Sequence, residues 1–226
     1  MFLAVWRAPV LGWLVVTALL LHPLLGLGRL WQRRSLGMPA VELVQLALGL
    51  AIPTLLALHV LGTGVAHRLL GIEDSYAFLV ALIWPDGMVR QSLLLLLVWL
   101  HGCIGLHLWL RLRPTYPRFL PALTVLATLL PTLAVLGTVA AGRELAALRA
   151  ADPSAGGRLV PIEDQPWSEA RAFLIGPVEG WIVAGWLALA AAVLLGRLVR
   201  GALARRGRVA ITWDGGRMAR VPPGLT

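Results

Sequence analysis

Residues 89–111 read Val89-Arg-Gln-Ser-Leu-Leu-Leu-Leu-Leu-Val-Trp99-Leu-His101-Gly-Cys103-Ile-Gly-Leu-His107-Leu-Trp109-Leu-Arg111. From Gln91 to Leu110 no side chain carries a formal charge. At the helical rise of ~1.5 Å per residue the run crosses the ~30 Å hydrocarbon core of a bilayer. Four more long apolar runs lie at about 8–28, 41–66, 119–141 and 177–198. The whole chain is 58% hydrophobic, with mean hydropathy +0.80. Lipid offers no partner to backbone N–H and C=O groups, so such runs must be helices. The expectation is an all-α, polytopic membrane bundle of five spans. The first run is long and lacks a small-residue cleavage site, unlike a signal peptide.

The segments between the runs are polar or short. Tyr76–Trp84 is apolar but too short to span, and is expected as an interfacial helix between the second and third spans. Residues 142–176 mix Arg, Asp, Pro and Gly and read as a solvated loop, with a short helix in Arg143–Ala151. Pro53 and Pro131 fall inside spans as tolerated kinks.

The net charge of +9 comes from arginine, with no lysine, and sits at the ends of apolar runs, so nucleic acid is a poor explanation for it. Arg29, Arg33 and Arg34 follow the first span, Arg111, Arg113 and Arg118 the third, and Arg197, Arg200, Arg205, Arg206, Arg208, Arg217 and Arg220 the fifth. Asp214 is the one acid among those segments, whereas Glu73, Asp74, Asp86, Glu144, Asp152, Glu163, Asp164, Glu169 and Glu179 fall on the other side. The positive-inside rule then places the N-terminus outside and the C-terminus in the cytoplasm. Trp6, Trp31, Trp84, Trp109 and Trp181 suit interfacial belts, while Trp13, Trp99 and Trp186 fall deeper. The tail, 208–226, alternates polar and apolar residues around Asp214-Gly215-Gly216, a β-hairpin signal. It reads as the truncated start of a soluble domain after a membrane domain at 1–207.

All five histidines lie in or at the ends of the first three spans: His22, His59, His67, His101 and His107. An intramembrane imidazole marks a functional site by default, and imidazole is a common axial ligand of haem iron. His22 lies roughly 9 Å and His107 roughly 6 Å from the inner boundary, a matched depth for one bis-histidine site. His101 lies about 9 Å further out than His107 and points about 120° away from it, so the two serve different sites. His59 and His101 form a candidate second pair if the helices tilt. His67, about 80° from His59 on an ideal helix, is a further ligand, a propionate partner or an interfacial residue. Arg68 and Arg90 are candidates to neutralise propionates. Any single histidine can instead bond a carbonyl or line a polar cavity. Zinc fits less well, since no acidic ligand shares these depths. Lone Cys103 excludes an internal disulfide. Gly62, Gly64, Gly102 and Gly105 beside the histidines allow close approach of helices or of a porphyrin.

The stretch Leu58-His59-Val-Leu-Gly-Thr63 with His67, and Trp99-Leu-His101-Gly-Cys-Ile-Gly-Leu-His107-Leu-Trp-Leu-Arg111, resembles the membrane anchor of bacterial class III adenylate cyclases that carry a ferredoxin domain. That anchor is similar to the cytochrome b subunits of succinate dehydrogenase and fumarate reductase. His22-Pro-Leu-Leu-Gly26 looks like the histidine segment of the anchor's first helix, and Val209-Ala-Ile-Thr-Trp-Asp-Gly-Gly-Arg217 looks like the opening hairpin of the ferredoxin. The resemblance implies one or two haem b groups, redox or quinone sensing, and a homodimer formed through a cyclase domain in the bacterial inner membrane. It implies a 2Fe–2S cluster only in a continuation beyond Thr226. The ferredoxin cysteines and the cyclase's metal-binding aspartates are not in these residues, so this stretch alone would not make cyclic AMP. The competing reading is a cytochrome b subunit that passes electrons within a quinone-linked respiratory complex.

Overall fold

All five apolar runs are helices long and apolar enough to cross a membrane, the architecture of a multi-pass membrane protein. The computed structural model describes residues 8–33, 37–71, 75–152, 154, 172–206, 209–212 and 218–221. Helix α1 is Pro9–Gln32, with proline in its first turn, where the missing N–H has no intrahelical partner to lose. Helix α2, Ala40–Val60, continues through a π-helical turn, Leu61–Val65, into α3, Ala66–Leu70. Gly71, at φ +66°, ends α3 in the left-handed conformation that favours glycine. Helix α4 is Tyr76–Ile83, α5 is Met88–Leu110 and α6 is Tyr116–Ala151. A second π-helical turn, Leu174–Val178, leads into α7, Glu179–Arg206. No more than 11% of any spanning window is buried within the chain. Leu and Val side chains therefore cover the outside, the arrangement suited to lipid.

The chain divides into two compact units, Pro39–Trp186 and Met1–Met38 with Leu187–Thr226. Within Pro39–Trp186 the main seam is α2 against α5, with α6 packed on α5 and on α4. Tyr76–Ile83 is helical, as expected, and is capped by the Ser75 hydroxyl, which accepts from the Phe78 N–H at 3.2 Å; one of its faces packs on protein. Phe78 and Val80 are only 3% and 2% exposed and form a core with Ala66, Ala81 and Leu145. An eight-residue helix apolar on every side buries itself in protein as readily as in a membrane boundary.

Arg143–Ala151 is not a separate helix either. It is the end of α6, whose 36 residues span ~54 Å, well past a ~30 Å hydrocarbon layer. Gly142 does not break α6, because its missing side chain admits Trp84. A Cβ there would stand 2.1 Å from the indole. Residues 155–171 of the expected loop lie outside the described residues.

Pro131 sits inside α6 and has no N–H for the carbonyl of Ala127, four residues earlier. The Trp99 indole N–H of α5 donates to that carbonyl at 2.7 Å. This supplies the partner that proline removed, one way in which intramembrane prolines are tolerated. Trp186 likewise donates to the Leu50 carbonyl at 2.9 Å. Trp99 and Trp186, which fall deep in their spans, thus have their indole N–H groups satisfied. Thr124, Thr128, Thr132 and Thr138 return their hydroxyls to carbonyls one turn earlier on α6, which keeps them bonded on an exposed face.

In the other unit, the end of α1 meets α7. Arg197 donates to the Arg33 carbonyl and Arg200 to the Trp31 carbonyl, while the Trp31 ring lies over Gly196. Beyond α7, β1 (Val209–Thr212) pairs antiparallel with β2 (Met218–Val221), Val209 opposite Val221 and Thr212 opposite Met218. The Asp214-Gly215-Gly216 centre of the expected hairpin lies outside the described residues.

Candidate functional site

Helices α2 and α5 run antiparallel, and their polar contacts fix the register. The His101 Nδ1 lies 3.2 Å from the Gln45 carbonyl oxygen and its Nε2 3.5 Å from the Gln45 amide nitrogen. A Cβ on Gly49 would be 3.0 Å from His101 Cε1, and one on Gly105 3.1 Å from Gln45 Nε2. Two glycines thus allow the helices to close on one imidazole and one amide. A carbonyl only accepts, so Nδ1 carries the proton and Nε2 the lone pair. A metal-bound histidine commonly has this arrangement, its second nitrogen held by a carbonyl or carboxylate. The Gln45 Oε1 beside the His101 ring is buried without a partner among the described residues.

His107, on the same helix, is held differently. Its Nδ1 is 2.8 Å from the Tyr116 hydroxyl, and the two rings lie at 59° with centroids 5.6 Å apart. A hydroxyl both donates and accepts, so this bond orients the ring without choosing its tautomer.

Near the other end of the seam, His59 lies beside the Gln91 side chain. Gln91 is ten residues before His101 on α5, which puts the two imidazoles at levels ~15 Å apart along the bundle. A π-helical turn lies between His59 and His67 and changes the ideal-helix angle between them. His67 is half-buried on α3 and Arg68 is exposed. Arg90 is engaged by Glu179 in an ion pair and hydrogen bond. His22 is exposed on α1, in the compact unit Met1–Met38 with Leu187–Thr226.

A cavity of about 430 Å³ opens around His59. Leu55, Leu58, Leu79, Val80, Ile83 and Leu94 supply its apolar wall, and His59, Thr63, Tyr76, Asp86, Arg90 and Gln91 its polar groups. The π-helical turn forms one side, and Thr63 bonds back to the His59 carbonyl at 2.6 Å. Such turns are frequent at functional sites. An apolar cleft of this size with a few convergent polar groups suits a small amphipathic molecule.

Among the described residues, no three His, Cys, Asp or Glu side chains gather as a metal-binding cluster. The donors fit haem at the level of single, oriented imidazoles rather than of a preformed pair. Comparison of the chain with protein-family models, with curated proteins and with solved structures gives no match. Sequence reading missed Gln45, Gln91, Tyr116 and Glu179. The two glutamines were visible as amides inside apolar spans, but their histidine partners lie 56 and 32 positions away in the chain.

Proposed function

We propose that this chain is a haem-b-binding membrane domain that serves as the redox input of a cytoplasmic adenylate cyclase, with a quinone bound in the cavity at His59. The observation that carries the reading is His101, an imidazole within the bundle with Nδ1–H on a backbone carbonyl and its lone pair on Nε2. His101 and His107 would be the first candidates to hold the group, each from its own side of α5. His22 and His59 are the further candidates. Bound haem b supplies one-electron exchange, tuned by its ligands and their hydrogen bonds. The chain's own part is to orient: the Gln45 carbonyl holds His101, the Tyr116 hydroxyl holds His107, and Gly49 makes room for the ring. At the cavity, His59 and Gln91 offer hydrogen bonds to a quinone oxygen while the leucines take its apolar body.

Absorption spectroscopy of the protein purified from haem-replete cells tests the reading. The expected result is a sharp Soret band, split α and β bands on reduction and a b-type pyridine haemochrome, all diminished in His101→Ala. A colourless preparation overturns it.

A further inference from the structure

Arg197 is the one buried charged residue of the described part, only 7% exposed. Its Nη2 donates to the Arg33 carbonyl, while Nε and Nη1 are buried with no partner among the described residues. A guanidinium keeps its charge in proteins and carries five N–H donors, so a single carbonyl leaves most of it unsatisfied. A buried charge without a counter-ion is strongly unfavourable. The described residues of this unit hold no Asp or Glu, yet they include Arg29, Arg33, Arg197, Arg200, Arg205, Arg206 and Arg220. Water could bond the orphan donors but would leave the charge uncompensated.

The surroundings hold the guanidinium in place. Gly196 lets the Trp31 indole lie on α7 immediately before Arg197, since a Cβ there would be 2.7 Å from the ring. Arg200 stacks over that indole, 4.7 Å from its centroid, and donates to the Trp31 carbonyl. Two guanidinium groups one turn apart on α7 are thus fixed by backbone carbonyls and an aromatic ring, with donors to spare. Planar guanidinium forks match phosphate oxygens, and a second fork adds a charge-assisted bond.

We propose that Arg197 and Arg200 form a binding site for a phosphate anion, supplied by the headgroup of an anionic phospholipid at the end of α1. The lipid phosphate provides the negative charge that the unit's described residues lack, beside the Trp31 ring, which is 42% exposed. The position fits this source, because both arginines lie at the end of a spanning helix, where headgroups lie.

The test is thermal unfolding and native mass spectrometry of the full chain in detergent with phosphatidylglycerol, phosphatidylcholine or inorganic phosphate. Wild type is expected to be stabilised by phosphatidylglycerol and to retain it as an adduct. Arg197→Gln should weaken that retention by about tenfold, the scale of one charge-assisted hydrogen bond. Arg200→Gln, at an exposed side chain, is the second variant should the first fail to fold, and should weaken retention in the same direction. Stabilisation by phosphatidylglycerol but not by phosphate assigns the lipid, and stabilisation by phosphate alone assigns the free ion to the same site. Equal retention of both lipids, or undiminished retention in the folded variants, overturns the proposal.

Discussion

Replacing Trp99 by Phe removes one hydrogen bond and little shape. In the native chain that bond ends on the Ala127 carbonyl, which Pro131 leaves without its backbone donor. The variant therefore strands an acceptor in an apolar setting. An unsatisfied buried group costs about 1–3 kcal/mol, whereas interhelical hydrogen bonds in membranes average about 0.6 and reach about 1.7. We expect Trp99→Phe to destabilise the bundle by about 1–1.5 kcal/mol, within these limits. Pro131→Ala restores a backbone N–H facing the same carbonyl. In that background the loss of the indole N–H should matter far less, by about 0.5 kcal/mol or under, and what remains is the packing difference between indole and phenyl. Both packing terms cancel in a double-mutant cycle, so the coupling isolates the bond to Ala127. Reversible unfolding in mixed micelles, followed by far-ultraviolet circular dichroism, gives the four stabilities. If Trp99→Phe is equally destabilising with and without Pro131, the indole is not compensating for the proline and the reasoning fails.

Gly142→Val should destabilise the α4–α6 contact by about 1–3 kcal/mol, since the added side chain meets the Trp84 ring; an unchanged midpoint in the same unfolding assay would contradict the packing. Tyr116→Phe removes the hydroxyl that orients His107 and, under the haem reading, should weaken haem retention by roughly 10–100-fold with the protein still folded. Titration of apoprotein with haemin reads this directly, and unaltered affinity would detach His107 from the site. A reporter fused after Arg208 should behave as cytoplasmic; alkaline phosphatase activity there would reverse the orientation read from the arginines.

The five spans were legible along the chain because a helix in lipid needs only an unbroken apolar run, and that is a local property of residues such as Gln91–Leu110. The strand pairing of the tail was legible for the same reason, as alternation over a few residues. The special positions of the five histidines were visible too, since a polar ring inside a hydrophobic run stands out without any structure. Their partners were not. Which level of α2 faces His101 depends on how Gly49 and Gly105 let two helices close, and that register set Gln45 beside His101 and sent His59 to Gln91, ten residues away on α5. The burial of Phe78, Val80 and Ala81 had no local signal, because an apolar segment reads alike whether it faces lipid or the Leu145 side of α6. The Ala127 carbonyl found its donor in the same way, across the bundle, where only packing decides which side chain comes within reach.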